Sequence, residues 1–476
     1  MKKKKNLINN SRREFLKNSA VAAGGFFIVP RHVLGRGFIA PSDKLTIAGI
    51  GAGGKGQSDL AEFSKSPKAN IAFLCDVDER QAANSFKKFP DAKRYKDWRE
   101  MLDKENKSID AVSVSTPDNV HAVAAFAAMQ LGKHVYVQKP LTHDIYEARM
   151  LTEAAKRYQV VTQMGNQGSS GDGVRQMQEW YKAGTIGDAT ALYIWTNRPV
   201  WPQGGGYPTT KDEIPKELDW NLWLGPAKDQ EYHKEFVPFS WRGYWAFGTG
   251  ALGDMGCHLI DPAFKTVGLG YPSEVECSQV SIYEKMWTPD YFPESCPAAS
   301  SIKLRFPGKD GKPDVKMYWM DGGIRPERPD ELSPDDVFGD KDGSGGVLIV
   351  GTKGKMMCGT YGSDPKLLPL SRNNEVNVPK TLARVPEGHY IQWVNACIAG
   401  YGKMEVSSPF EYAGPLTETI LMGNLALRSW NVKNGNKWPG RKKLLWDAPN
   451  MKITNFDEAN EFVKREYRSG WDPKWK

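Results

Sequence analysis

A run of glycines narrows the fold more than any other feature: Gly51-Ala52-Gly53-Gly54-Lys55-Gly56 stands directly after an apolar, β-branched stretch and before an amphipathic one. A G-x-G-x-x-G at a strand-to-helix junction lets the backbone turn tightly, approach a pyrophosphate closely and aim a helix N-terminus at its charge. Around it, short apolar runs alternate with longer amphipathic ones: strands at 44–50, 70–75, 110–115 and 134–137, helices at 54–64, 79–87 and 119–131, then a helix near 145–157 and a strand near 159–164. Such alternation predicts βαβ units around a parallel sheet, an α/β Rossmann domain of the doubly wound kind. Asp76 follows Gly56 by 20 residues, at the end of the second strand. A carboxylate there accepts hydrogen bonds from ribose hydroxyls and repels a 2′-phosphate. NAD is therefore expected in preference to NADP, held by Gly51, Gly53, Gly56 and Asp76.

Beyond residue 165 the texture changes. Strands at 188–196, 274–282, 301–306, 315–320 and 346–350 are separated by long polar connections rich in Gly and Pro. This predicts a C-terminal α/β domain with a large, mostly antiparallel sheet. Two helices stand out in it, at 250–267 and 409–430, the latter with Ser407 or Ser408 as cap and Pro409 in its first turn. The segments 198–240 and 321–345 read as insertions. The expected organisation is a leader over 1–40, an NAD-binding domain over 41–165 and a substrate-binding, catalytic domain over 166–476.

The formal charge of +8 is concentrated in the first forty residues, which carry nine cations and one anion. The remaining body is balanced and lacks the positive field that a phosphate backbone requires, so no nucleic-acid partner is expected. Those forty residues run in the order of an export signal: a basic stretch, then Ser11-Arg12-Arg13-Glu14-Phe15-Leu16-Lys17, then an apolar run from Ala20 to Pro30. They resemble a twin-arginine signal. That resemblance implies export of the folded protein to the periplasm by the twin-arginine machinery, with the dinucleotide acquired beforehand and the leader either cut or kept. The six cysteines are scattered without metal-like spacing and are expected to be buried free thiols.

Two further segments carry a family resemblance. Ser115-Thr116-Pro117-Asp118-Asn119-Val120-His121 follows the third strand of the reading above, and Gly132-Lys133-His134-Val135-Tyr136-Val137-Gln138-Lys139-Pro140 holds the fourth. Together they resemble the paired signatures T-P-x-x-x-H and G-K-H-V-x-x-E-K-P of the glucose-fructose oxidoreductase, inositol dehydrogenase and rhizopine-catabolism (Gfo/Idh/MocA) family. The resemblance implies that Ser115, Thr116, Pro117, Asn119 and His121 border the nicotinamide side of the cofactor, and that Lys139 reaches both nicotinamide and reacting hydroxyl. The family's glutamate is Gln138 here, also beside the cofactor, and its loss removes a charge partner of the lysine. His134 and His143 read as structural.

In Gly250-Ala251-Leu252-Gly253-Asp254-Met255-Gly256-Cys257-His258, Asp254 and His258 stand at i and i+4, on one helical face. The segment resembles the family's D-x-x-x-H. Alcohol oxidation needs a group that takes the hydroxyl proton, and imidazole suits it. His258 is therefore assigned as general base, Asp254 as the group orienting substrate or imidazole, and Lys139 as the cation facing developing alkoxide. Two ligands without a third do not make a metal site, and none is expected. Six of the sixteen tryptophans fall between Trp195 and Trp245, either to stack on a sugar or to fill an insertion's own core. Asn197, Arg198 and Arg242 are candidates for sugar hydroxyls. Trp241 and Arg242 are the nearest to the catalytic helix, with Asn166 a further substrate contact. The function expected is oxidation or reduction at a secondary hydroxyl of a sugar, cyclic polyol or glycoside. The alternatives are an NAD-dependent glycosidase using transient oxidation at C3 and a catalytically silent NAD-holding binding protein. A homo-oligomer is expected.

Overall fold

The alternating first third folds around a six-stranded parallel sheet in a computed structural model that describes residues 44–475. The leader, 1–40, lies outside the described residues. The strands are β1 (Leu45–Ile50), β2 (Ala69–Cys75), β3 (Lys93–Tyr95), β4 (Ala111–Val114), β5 (His134–Val137) and β6 (Thr162–Met164), in the order β3-β2-β1-β4-β5-β6. Between and after them run α1 (Gly54–Phe63), α2 (Glu79–Lys88), α3 (Trp98–Glu105), α4 (Asp118–Gln130) and α5 (Ile145–Tyr158). The strand order reverses between β1 and β4, so a crevice opens beyond their carboxyl ends, where such sheets bind ligands. Gly51, at φ +80°, makes the turn out of β1, and a Cβ on it would stand 2.5 Å from the Ser115 carbonyl oxygen. The sequence pattern does not announce β3 or α3. β3 is three polar or aromatic residues at the sheet edge, formed by pairing with β2 and not by an apolar period.

The second sheet has nine strands: β7 (Ala189–Thr196), β8 (Glu274–Gln279), β9 (Ser300–Phe306), β10 (Val315–Met320), β11 (Gly345–Gly351), β12 (Lys355–Cys358), β13 (Lys366–Leu368), β14 (Leu444–Asp447) and β15 (Lys452–Ile453). Every neighbouring pair is antiparallel except β7 with β10. Its longer helices are α6 (Asp172–Lys182), α7 (Gly250–Val267), α8 (Gly388–Ala399) and α9 (Phe410–Trp430). Side chains of α7 and α9 such as Leu259 and Ile420 join Ile194, Ile302 and Trp319 of the sheet in one core. That same core includes Val112 and Val135 of the first sheet.

The start of α9 differs from expectation. Pro409 is the cap residue itself, extended at φ −64°, ψ 159°, and no side chain of the preceding serines caps the helix. Ser408 Oγ is buried with no hydrogen-bond partner among the described residues. The first N–H of the helix, that of Phe410, instead donates to Thr162 Oγ1 of β6 at 3.0 Å. A sheet residue thus supplies the acceptor that a local serine would otherwise give.

Most of the tryptophans of the 195–245 region are core. Trp220, Trp223 and Trp241 pack with Leu218, Phe236 and Phe247 in a cluster of the insertion's own, whereas Trp195 stands against Phe338 at 4.4 Å. The chain finally returns across the first sheet. Tyr146 N–H donates to the Val463 carbonyl at 3.0 Å, Arg465 pairs with the buried Asp144 and Glu147, and the Trp471 ring meets Trp98 edge-on at 6.2 Å. All six cysteines are unpaired, and all but Cys277 are buried.

Candidate active site

A cleft of about 540 Å³ opens at the switch point, running from the glycine loop past Asp76 at one end to Lys139, Arg242 and Asp254 at the other. Its first half fits a dinucleotide. No side chain caps α1 at Gly53, which leaves the helix N-terminus bare for an anion. A Cβ on Gly54 would meet nothing within 4 Å, and Gly56 is packed so closely that its Cβ would stand 1.8 Å from the Gly51 carbonyl oxygen. Asp76 Oδ2 accepts from the N–H groups of Ala52 and Gly53 at 2.8 and 2.9 Å, and Oδ1 from that of Asp78 at 2.9 Å. Burial pushes the Asp76 carboxyl up to about 6, and those three donors offset it only in part. Close by in the cleft wall, the buried Trp98 indole N–H has no hydrogen-bond partner among the described residues.

The glutamine that replaces the family's glutamate has a local cause. Gln138 Nε2 donates to Asp59 Oδ2 at 2.8 Å, and the fully buried Asp59 also accepts from Ser115 Oγ and Tyr390 OH, each at 2.9 Å, and pairs with Lys55. A glutamate at 138 would set a second carboxylate against the first, whereas an amide donates. The negative charge therefore sits on α1 and not at the end of β5. Sequence reasoning missed Asp59, because its partner lies 79 residues away. The one local signal was a carboxylate on the buried face of α1.

In the second half, Lys139 Nζ donates to Asp254 Oδ1 at 2.7 Å and to the Asp254 carbonyl oxygen at 2.8 Å. Arg242 Nε stands 3.5 Å from the same Oδ1. Burial works to raise the Asp254 carboxyl, but the two cations outweigh it and hold the group at about 2. One turn along α7, His258 is buried, and burial together with the charge of Lys139 pushes its pKa well below the usual imidazole range. It is neutral, and no hydrogen bond joins its buried Nδ1 to a described residue. Asp118, absent from the sequence-derived set, lines the cleft as well. Its Oδ2 accepts from Thr249 Oγ1 at 2.6 Å, just before α7, and burial pushes it up to about 6. It stood among the variable letters of the Thr-Pro signature, where the motif gives no reason to choose it.

Not every expected residue reaches the cleft: His258 does not line it, and its ring stands against that of Tyr361, 4.6 Å away. Thr116 and Pro117 line the cleft, with Trp241 and Arg242; the guanidinium of Arg242 lies 4.3 Å from the Trp241 ring and 4.0 Å from that of Phe239. Asn119 and His121 stand behind the wall. Asn119 Nδ2 donates to the Leu224 carbonyl at 2.9 Å and so ties down the insertion. His121 lies between the carbonyls of Pro140 at 2.8 Å and Thr116 at 2.9 Å. Burial pushes its pKa down to about 4, so the neutral ring donates to only one of them. Asn166 is fully buried before the turn 167–170 and does not line this cleft, and Asn197 bonds to Arg198 at 3.2 Å outside it. His134 Nδ1 accepts from Val161 N–H at 3.0 Å, and His143 Nε2 meets the Trp245 carbonyl at 2.8 Å. Among the described residues no group of three or more His, Cys, Asp or Glu is placed to hold a metal ion.

Residues 45–166 match the NAD-binding Rossmann fold of an oxidoreductase family, and residues 176–280 match its C-terminal alpha/beta domain. Among curated relatives, a levoglucosan dehydrogenase of Pseudarthrobacter phenanthrenivorans is 26% identical over 46% of this chain and 46% of its own length. An alpha-N-acetylgalactosaminidase of Shewanella oneidensis is 28% identical over 32% of this chain and 38% of its own. The chain thus matches less than half the length of these relatives. The WlbA dehydrogenase of Bordetella pertussis, solved with NADH and UDP-GlcNAcA, superposes with a TM-score of 0.53 over 80% of this chain and 95% of its own at 14% identity, a likeness of fold.

Proposed function

Over residues 45–166 and 176–280 the chain belongs to the Gfo/Idh/MocA oxidoreductase family, and from that premise we propose that it oxidises or reduces a secondary hydroxyl or keto group of a sugar, cyclic polyol or glycoside with tightly held NAD. The observation that carries the reading is the Lys139–Asp254 ion pair at the far end of a cleft that begins at the glycine loop, with a neutral His258 one helical turn behind it whose Nδ1 has no hydrogen bond to a described residue. NAD bound along that cleft supplies the hydride acceptor or donor. His258, uncharged at neutral pH, takes the proton of the substrate hydroxyl. Lys139, anchored by Asp254, sets its ammonium against the oxygen on which negative charge develops. Trp223 and Phe239, contributed by the insertion, narrow the cleft against water. The levoglucosan dehydrogenase relative supports the substrate class.

Asp118 favours a second reading, glycoside hydrolysis by transient oxidation at C3, because that route needs a further base for the C2 proton and Asp118 is a carboxyl in the same cleft besides Asp76, Asp78 and Asp254. The Shewanella relative supports it. The silent binding protein loses its main support, since Asp59 accounts for Gln138. Incubating the NAD-loaded protein with levoglucosan, and separately with p-nitrophenyl N-acetyl-α-galactosaminide, decides between the two chemistries. The dehydrogenase reading requires NADH to accumulate with no nitrophenol released; release of nitrophenol without net NADH supports hydrolysis instead. The Arg12-Arg13 segment supports a periplasmic location after export in the folded state. Assembly into a homo-oligomer through the sheet face on which Tyr193 and Tyr318 stack at 5.0 Å belongs to the same proposal.

A further inference from the structure

Tyr361, in the turn that follows β12, has φ +65° and ψ +13°, a left-handed conformation that a bulky side chain rarely adopts. The surrounding fold holds it there. Asp340 accepts from Thr360 N–H at 2.8 Å and from Thr360 Oγ1 at 2.6 Å. Gly168 leaves room for the turn, since a Cβ on it would stand 2.7 Å from Tyr361 Cα. Glycine or asparagine would occupy position 361 with less strain. Packing does not explain the tyrosine either, because the residue is 48% exposed and belongs to no core cluster. Its ring meets the imidazole of His258, at 4.6 Å between centroids and 63° between planes. Backbone strain held in place by neighbouring contacts, beside the assigned base, points to a task at the site.

We propose that Tyr361 is a substrate-contacting residue whose exposed ring forms the wall against which the C–H face of a sugar or cyclitol ring packs, while the adjacent His258 meets the reacting hydroxyl. The inference rests on the dehydrogenase reading and adds to it the surface that selects the sugar. A ring of this kind orients a substrate by its apolar face, so the substrate class is one with several C–H bonds directed to one side.

The test compares Tyr361→Asn and Tyr361→Phe with the parent, all loaded with NADH, by calorimetric titration with levoglucosan and by thermal midpoint. Asparagine tolerates the left-handed turn, so Tyr361→Asn should keep or raise the midpoint while its affinity for levoglucosan falls about tenfold or more. Tyr361→Phe keeps the ring and should stay within about threefold of the parent. NADH affinity should be unchanged in both. A midpoint lowered by Tyr361→Asn makes the residue structural and overturns the proposal, as does levoglucosan affinity equal to the parent's. If the parent binds levoglucosan but forms no NADH when loaded with NAD, the dehydrogenase reading fails while the affinities still decide the role of Tyr361. If it binds neither levoglucosan nor myo-inositol nor p-nitrophenyl N-acetyl-α-galactosaminide, the sugar wall is refuted.

Discussion

Asp76 and Asp118 carry carboxyls that burial pushes up to about 6, whereas Asp254, half-buried in the same cleft, is held at about 2 by Lys139 and Arg242. The sign of the consequence follows from linkage. A carboxyl raised in the folded state costs stability as pH climbs through the interval between its unfolded value and about 6, and below that interval it is protonated. Protonated Asp76 loses acceptor capacity toward ribose hydroxyls. NAD affinity should therefore fall as pH drops through about 6, and Asp76→Ala should weaken NAD binding, flatten that dependence and relax the bias against NADP. Fluorescence titration with both dinucleotides across that range checks it; an Asp76→Ala profile that still falls at the same pH assigns the effect to another group, Asp118 first. Gln138→Glu should lower the thermal midpoint by an amount worth about 1–3 kcal/mol, more at alkaline than at acid pH, because ionising it sets two buried carboxylates together. Melting curves at several pH values check this. The meeting of Lys139 with Asp254 in the cleft was legible because each sits inside a short motif of fixed spacing. Asp59 and Tyr361 were not, since one acts through a partner 79 residues away and the other through a backbone conformation.

Among the elements, those with a strong period of their own were readable and those made by pairing were not. The expected 250–267 helix is α7 to the residue, and β5 spans the expected 134–137. β3, β13 and β15 are two or three residues long and exist because a neighbouring strand offers them hydrogen bonds. α8 was missed because its apolar residues, among them Tyr390, Trp393 and Val394, pack onto Phe63 and the first sheet from a sequence distance that no local window spans. The C-terminal segment shows the same long reach. Arg465 is the cation beside two buried carboxylates, Asp144 and Glu147, and also donates to the Asn119 carbonyl at 2.6 Å. Arg465→Ala leaves those charges uncompensated and should cost about 3–5 kcal/mol. Denaturant unfolding measures it, and a loss under about 1 kcal/mol would show the ion pair to be solvated and weak.

For the whole molecule, two domain folds legible from their patterns meet at one cleft, lined from both by Lys139 after β5, Asp254 on α7 and Arg242 beside the insertion, with His258 one turn behind Asp254. Pattern alone could not give that meeting, since it is set by packing between sheets that share a core. If the leader directs export of the folded protein, replacing Arg12 and Arg13 together by Lys should leave a folded, NAD-loaded protein in the cytoplasm, as the receptor reads the guanidinium pair and not charge alone. Cell fractionation checks this, and unchanged periplasmic accumulation would overturn the twin-arginine assignment. The central claim is that His258 takes the hydroxyl proton at the end of an NAD cleft, and single-turnover formation of bound NADH with levoglucosan tests it most directly. His258→Ala should slow that turnover by about two to four orders of magnitude while its NAD content stays at the parental level. A His258→Ala protein that forms bound NADH at the parental rate would contradict the account.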